Sequence, residues 1–218
     1  MKHLSLRMIV LIALAAIVFL WLIKAPVMSS YLTSRLKIPV SMASISMWPR
    51  ETTIRIFKIP NPRGYKTDNA FKALRIKVEY ELGKLLGTPS EIDTITMDGV
   101  FVSIEFSNKA GTQNNWTVLG SKIPEEKNSR RVIVHKLILT NIRVEIQGLA
   151  AQILGVPKNQ MIERMEFDEI DSEQGFPTKK VINRIFENAG VQKYIEELSN
   201  PENVFEKFTN PFKGFGGD

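Results

Sequence analysis

Side chains that usually carry chemistry in proteins are scarce in this sequence. There is no cysteine, which excludes disulfides, thiolate nucleophiles and thiolate metal sites. The two histidines, His3 and His135, lie too far apart in sequence and setting to suggest a metal cluster. No G-x-S-x-G, phosphate-binding loop or H-E-x-x-H sequence occurs. An enzyme is therefore the class with the weakest support, and we predict no catalytic residue, no metal and no cofactor.

Three isolated features could still suggest a site. A group of carboxylates could suggest calcium, but it lacks the spacing and central glycine of an EF-hand loop. We interpret this group as a solvated strand edge: Glu163, Glu166, Asp168, Glu169, Asp171 and Glu173. His135 precedes an apolar strand and is interpreted as a structural or surface residue. Trp116 is interpreted as a core residue where the chain turns over the sheet edge.

The formal charge of +6 is confined to the N-terminal part of the chain. Residues 1–50 contain six of the 29 basic residues and no Asp or Glu, so 23 basic and 23 acidic residues remain after position 50. A neutral domain gives little support for a surface that neutralises phosphates. We therefore predict no nucleic-acid partner.

The most informative pattern is an interrupted alternation that occurs twice. The sequence ITMDGVFVSIE, residues 95–105, is nearly repeated 42 positions later as LILTNIRVEIQ, residues 137–147. In each copy, apolar residues alternate, skip one position at a turn-prone pair (Asp98-Gly99 or Thr140-Asn141), and resume in the opposite phase. Such a phase change without a break predicts a β-bulge, which bends the strand and raises its twist.

A period of two extends from about residue 40 to residue 171. Strands are predicted from Val40 to Met47, from Ile54 to Ile59, from Leu74 to Tyr80, and more weakly from Met161 to Ile170. The predicted fold class is therefore mainly β, a curved antiparallel sheet that forms a groove. It follows a single N-terminal transmembrane helix and precedes C-terminal helices.

The N-terminal segment predicts a membrane anchor. Residues 8–23 form an unbroken apolar run of 16, short for a bilayer span of about 20 residues. A cleaved signal peptide is the alternative, but the run ends without a small-residue cleavage site. A short helix from Val27 to Leu36 follows the run, and Pro39 ends it. The predicted domains are a membrane anchor (1–26), a curved β-sheet (27–171) and a helical cap or docking segment (172–218).

One face of the predicted strands is aliphatic and the other is polar. The aliphatic face can be the ordinary core of a sheet plugged by its own helices, or the floor of a groove that accepts acyl chains. The residues predicted to form this floor, and thus to bind lipid, are Leu74, Ile76, Val78, Ile95, Met97, Val102, Ile104, Leu137, Leu139, Val144 and Ile146.

The stretch KIPNPRGYKTDNAFKALRIKVEYELGKLL, residues 58–86, resembles the N-terminal signature of AsmA-like proteins. The residues that match are Asn61, Pro62, Gly64, Tyr65, Ala70 and Phe71, and GTQNNW, residues 111–116, is similar to a later motif of the same family. The resemblance covers about residues 5–150. It implies a curved β-groove shared with bridge-like lipid transfer proteins, in a single-pass protein of the bacterial inner membrane with its C-terminal domain in the periplasm.

The chain departs from that family in length. Six or seven strands about 4.8 Å apart give a groove on the order of 30 Å long, too short to cross a periplasm. Two functions remain open. One is envelope biogenesis through lipid handling, with a phospholipid or other acyl lipid, envelope proteins or further copies of the chain as partners. The other is a non-transporting scaffold subunit of an envelope complex.

Overall fold

The computed structural model describes residues 23–108, 113–122, 131–148, 151–152 and 158–171. Helix α1 comprises residues 23–36, and residues 151–152 are also helical. Two short helices follow, α2 (Leu82–Leu85) and α3 (Asn115–Gly120). The strands are β1 (Ser44–Trp48), β2 (Glu51–Pro60), β3 (Asn69–Glu79), β4 (Ser90–Phe106), β5 (Val132–Gly148) and β6 (Asn159–Asp171).

The six strands form one mixed sheet in the order β1-β2-β3-β4-β5-β6. Four neighbouring pairs are antiparallel, whereas β4 and β5 are parallel. The prediction of a mainly β sheet is confirmed, and the prediction that it is antiparallel throughout is wrong at this central pair. A parallel pair needs a crossover connection of a dozen or more residues, and residues 107–131 supply that length.

The two copies of the repeated sequence lie side by side in β4 and β5. Because the strands run in the same direction, each residue pairs with its counterpart 42 positions later, as Ile95 does with Leu137 and Ile104 with Ile146. The aliphatic positions of both copies therefore share one face of the sheet. The turn-prone pairs also meet, because Asp98 pairs with Thr140.

Left-handed backbone, and not an inserted residue, causes the phase change. Gly99 has φ 62° and Asn141 has φ 53°. Residues 98–101 lie opposite residues 140–143, so both strands contribute equal numbers and the predicted β-bulge is wrong at this point. Ile56 of β2, with φ 52°, lies in the same row. In β2, β4 and β5, the positions that face a given side of the sheet therefore shift by one residue at the same level.

A second row crosses β4, β5 and β6 nearer the start of β4. Ile92 pairs with Val134, and Val134 pairs with Ile170. His135 comes after Val134 in β5. Glu169 comes before Ile170 in the antiparallel strand β6, and it has φ 48°. The buried positions of β5 accordingly jump from Val134 to Leu137. Two aligned phase changes therefore divide the central strands into three segments.

Helix α1 packs on the β1–β2 side of the sheet. Its N-terminal half places Ala25 and Met28 against Met42, Ile45 and Ile54. Its C-terminal half places Leu32 and Leu36 against a second cluster: Ile38, Val40, Ala70 and Leu119. The helix predicted from Val27 to Leu36 is therefore present, and it is already helical at residue 23.

Two predicted regions lie outside the described residues. They are most of the apolar run of residues 8–23 and the C-terminal helices beyond residue 171. Within the ranges that the structure describes, no helix has the length and apolar character needed to cross a bilayer.

Candidate functional site: the apolar face of the sheet

The central strands present one continuous aliphatic surface, here called the apolar face. Its residues pair across strands in rows, such as Ile95 with Leu137 and Leu137 with Phe167. The apolar face comprises Ile76 and Val78 of β3, Ile92, Ile95, Met97, Val100, Val102 and Ile104 of β4, Val134, Leu137, Leu139, Ile142, Val144 and Ile146 of β5, and Met165, Phe167 and Ile170 of β6.

Ten of the eleven residues predicted to form a floor lie on this apolar face. Seven are buried: Ile76, Val102, Ile104, Leu137, Leu139, Val144 and Ile146. The other three, Val78, Ile95 and Met97, are partly buried. The register places all ten on one side of the sheet, because Val78 pairs with Ile95 and Ile76 pairs with Met97.

The prediction that Leu74 shares this face is wrong. Leu74 is 50% exposed, and its side chain lies over Gly99. The reason is the row of phase changes, which β3 crosses at this level. Its buried residues are Ala73 and Ile76, three positions apart, so Leu74 falls on the other side.

The prediction omitted several residues of the apolar face. Val100 and Ile142 directly follow the left-handed residues and are almost fully buried. The alternation that resumes after each turn-prone pair indicated that both residues are buried. Met165, Phe167 and Ile170 of β6 were harder to find, because two phase changes are hidden among the acidic residues of that strand.

Exposure varies along the apolar face. At the carboxyl ends of β4 and β5 the face is closed, with Ile104 and Val144 at 0% exposure. Toward the start of β4, Ile92, Ile95 and Met97 are partly exposed. The part of the face that an apolar ligand could reach is therefore near Ile95 and Met97.

Asp98 joins the two repeats at their phase change. Its Oδ1 accepts hydrogen bonds from the Thr140 hydroxyl at 2.9 Å and from the Asn141 side-chain amide at 2.8 Å. Hydrogen bonds from the Asn141 and Thr140 side chains hold the pKa of Asp98 below its usual value. The turn-prone residues of the repeats therefore lock the parallel pair in register.

Behind the closed end of the apolar face lies a polar cluster with a buried centre, here called the polar latch: Asn61, Lys66, Thr67, Ser103, Glu105 and Asn115. Both oxygens of the buried Glu105 carboxylate accept the Lys66 backbone N–H at 2.8 Å. The Asn115 amide donates to Asn61 Oδ1 at 2.7 Å and to the Ser103 carbonyl at 2.8 Å. These bonds fasten the turn after β2 and the start of α3 to β4.

Residues that carry the resemblance to AsmA-like proteins are structural in this chain. Asn61 and Asn115 belong to the polar latch, and Trp116 Nε1 donates to the Ser103 carbonyl at 2.7 Å. Gly64 has φ 97° in the turn between β2 and β3, and Phe71 packs edge-on against Phe57. These matched residues therefore stabilise the fold.

The polar face of β4, β5 and β6 carries paired charges. His135 lies between two carboxylates, with Nδ1 at 3.0 Å from Glu169 and Nε2 at 3.1 Å from Glu91. Hydrogen bonds to Glu169 and then to Glu91 raise the pKa of His135 above its usual value. His135 thus bridges three strands by hydrogen bonds, which become ion pairs when the imidazole is protonated.

Two further carboxylates of β6 have basic partners. Glu166 lies 3.3 Å from Lys136 Nζ, and Asp171 lies 2.6 Å from Arg131. Among the residues that the structure describes, no group of His, Asp and Glu side chains could hold a metal ion.

Comparison with known proteins adds no further assignment. No family model, curated protein or solved structure matches this chain.

Proposed function

We propose that this chain is a membrane-anchored module of the bacterial cell envelope whose apolar face binds lipid acyl chains. The observation that carries the proposal is the apolar face itself, which is continuous over β3 to β6 and partly exposed around Ile95 and Met97. Each methylene group transferred from water to such a surface contributes about 0.8 kcal/mol. Part of one acyl chain would therefore be held without polar recognition.

The resemblance to AsmA-like proteins supports the same proposal. It implies a periplasmic β-groove, and the apolar run of residues 8–23 supplies an expected anchor. Six strands about 4.8 Å apart span about 25–30 Å. A sheet of that width would act within a larger assembly, by joining other envelope proteins or further copies of the chain.

A scaffold subunit of an envelope complex is the second candidate. Complete burial of Ile104, Ile142 and Val144 favours it, because a closed core does not admit a ligand at that end. In this alternative the polar latch and the apolar face make a rigid platform, and no acyl chain is bound.

Lipid mass spectrometry on the detergent-purified full-length protein separates the two candidates. The wild-type protein is expected to retain phospholipid or another acyl lipid above the level of the detergent background. Met97→Asp places a carboxylate on the partly exposed segment of the apolar face. It should leave the fold intact, since water can reach the new charge, and remove the retained lipid.

Leu74→Asp is the matched control. Leu74 is half-exposed on the other side of the sheet, so this variant should fold and keep its lipid. A wild-type protein without lipid, or a folded Met97→Asp variant with undiminished lipid, would contradict the proposal and favour the scaffold.

A further inference from the structure

Two chain reversals lie together at one end of the sheet, here called the hairpin end. They are the turn at Pro49 and Arg50 between β1 and β2, and the connection of residues 80–89 between β3 and β4. Hydrogen bonds join them: the Tyr80 backbone N–H donates to the Arg50 carbonyl, and the Tyr80 hydroxyl donates to the Trp48 carbonyl, both at 3.0 Å. The two reversals therefore form one surface.

Large apolar side chains project from this surface. Trp48 is 67% exposed, Leu82 is 50% exposed and Leu86 is 71% exposed. Turns usually carry polar residues and small residues, so three large apolar side chains at adjoining turns need a reason. Tryptophan and leucine together are typical of segments that enter the boundary between lipid headgroups and acyl chains.

The direction of α1 brings residue 23, where the described part of the chain begins, to the same end of the sheet. The first residues of α1 belong to the same apolar cluster as Ile45 and Ile54, which are each four positions from the β1–β2 turn. Its last residues pack toward Val40 and Ala70, at the other end of β2. The chain therefore enters the domain at the hairpin end, and the residues before position 23 are the apolar run of residues 8–22.

Two lysines near the hairpin end are each paired with two carboxylates. Lys77 lies 3.2 Å from Glu51 and 2.8 Å from Glu79. Lys84 lies 3.6 Å from Glu81 and 3.5 Å from Asp93. The surface is thus not a basic patch, so we do not expect it to bind a membrane by attraction to anionic lipid headgroups.

We infer that the hairpin end is a membrane-contact surface, in which Trp48, Leu82 and Leu86 enter the interfacial layer of the bilayer that holds the N-terminal segment. The occupant is a phospholipid bilayer surface, bound by apolar contact. This contact fixes which end of the sheet faces the membrane. It goes beyond the proposed function, because a lipid-binding module and a scaffold would both be oriented by it.

The absence of native cysteine allows a direct test in the full-length protein. Leu86→Cys and Leu82→Cys are labelled with a fluorophore sensitive to polarity, and the protein is reconstituted in vesicles of phosphatidylethanolamine and phosphatidylglycerol. Some of the lipids carry a doxyl quencher on the acyl chain. Met161→Cys is the matched control, since Met161 is also 71% exposed but lies near the start of β6, at the opposite end of the sheet.

Labels at Leu86 and Leu82 are expected to shift to shorter emission wavelengths and to be quenched by doxyl lipid, in low and in high salt. The label at Met161 should show neither change. Introducing Leu86→Asp beside the label at Leu82 should abolish the quenching, and circular dichroism should show that the fold is kept. Circular dichroism on each labelled variant guards against misfolding.

Two outcomes would overturn the inference. One is a label at Leu86 that behaves like the label at Met161 in the same vesicles. The other is a blue shift that depends on protein concentration and is insensitive to doxyl lipid, which would assign the hairpin end to contacts between copies of the chain.

Discussion

A few residues with left-handed backbone set the conformation of the sheet. Gly99, Asn141 and Ile56 have φ between 52° and 62° and lie in one row across three strands. Most residues other than glycine and asparagine adopt this conformation at a cost of about 1–2 kcal/mol. Glycine and asparagine therefore suit two of the three positions, whereas the β-branched Ile56 is strained.

Gly99 is the position where a side chain should do most harm. A Cβ atom there would lie 2.5 Å from Leu74 Cδ1, and φ is 62°. Gly99→Val is expected to lower the free energy of unfolding by about 1–3 kcal/mol, the usual range for forced backbone strain. Thermal unfolding followed by circular dichroism measures the change.

The double variant Gly99→Val with Leu74→Ala tests both causes. Shortening Leu74 to alanine removes the contacts with Cδ1 and Cγ but leaves Cβ 3.0 Å from the new Cβ. The backbone strain also remains, so only part of the stability should return. An unchanged melting temperature in Gly99→Val alone would mean that neither cause operates.

A substitution at Ile56 removes backbone strain, whereas Gly99→Val adds it. Ile56→Gly removes the left-handed strain while adding the flexibility of glycine, so we expect stability to stay within about 1 kcal/mol of the wild type or to rise. Arg55→Gly, at the neighbouring exposed position, should lower the free energy of unfolding by about 0.5–1 kcal/mol. Greater destabilisation from Ile56→Gly than from Arg55→Gly in thermal melts would contradict the strain.

The spacing of Ile54, Ile56 and Ile59 also indicates a phase change in β2, but residue type marks the position of the change only in the two repeats. Asp98-Gly99 and Thr140-Asn141 contain residues that tolerate left-handed backbone. Ile56 gave no such signal, because isoleucine is typical of regular strands. Leu74 was misplaced for the same reason, since its own conformation is ordinary and only its neighbours show the change.

At the level of elements, the polar latch holds three segments together. Asn115 is fully buried, and its amide satisfies Asn61 Oδ1, the Ser103 carbonyl and the Glu105 backbone N–H. The turn after β2, the end of β4 and the start of α3 therefore depend on one side chain. A polar group left unpaired in such a site destabilises the folded state.

Asn115→Ala is expected to lower the free energy of unfolding by about 2–4 kcal/mol, because Asn61 Oδ1, the Ser103 carbonyl and the Glu105 backbone N–H each lose a hydrogen-bond partner. Lys122→Ala, at the exposed end of the same helical segment, serves as the control and should change stability little. Equal melting temperatures for the two variants would mean that the polar latch does not stabilise the fold.

The bridge through His135 makes stability depend on pH. Since Glu169 and Glu91 raise the pKa of His135 in the folded state, its contribution is complete below the unfolded pKa of about 6.5 and is lost as pH rises through the folded value. Solvent screening keeps the contribution within about 0–1 kcal/mol. The stability difference between wild type and His135→Gln should therefore be larger at pH 6 than at pH 8.5.

Glu169→Gln removes one of the two carboxylates and should give an intermediate dependence on pH. Melting temperatures of the wild type and the two variants at pH 6 and pH 8.5 measure this dependence. A difference between wild type and His135→Gln that is the same at pH 6 and pH 8.5 would contradict the bridge.

The direction of strands was the main element-level property that the sequence did not predict. A period of two shows which residues share a face but not which way a neighbouring strand runs. Two features of the sequence pointed to a parallel pair. The connection of residues 107–131 is long enough for a crossover, and parallel neighbours align the two copies of the repeated sequence. The parallel direction of β4 and β5 became clear only from the structure.

For the whole molecule, the apolar face is the feature that links fold to function. Most of its central members were predicted from alternation, since hydrophobic periodicity reports burial directly. Whether that burial encloses an acyl chain or only the chain's own core depends on the partly exposed segment around Ile95 and Met97.

Photocrosslinking at Met97 tests acyl-chain binding most directly. Met97→Cys and Leu74→Cys in the full-length, otherwise cysteine-free protein are labelled with a benzophenone. Each protein is then reconstituted with a phospholipid whose acyl chain carries a clickable tag, and illuminated. If the apolar face binds acyl chains, lipid should crosslink at Met97 and not at Leu74, and excess untagged phospholipid should compete. No lipid adduct at Met97, or equal adducts at both positions, would contradict acyl-chain binding by the apolar face.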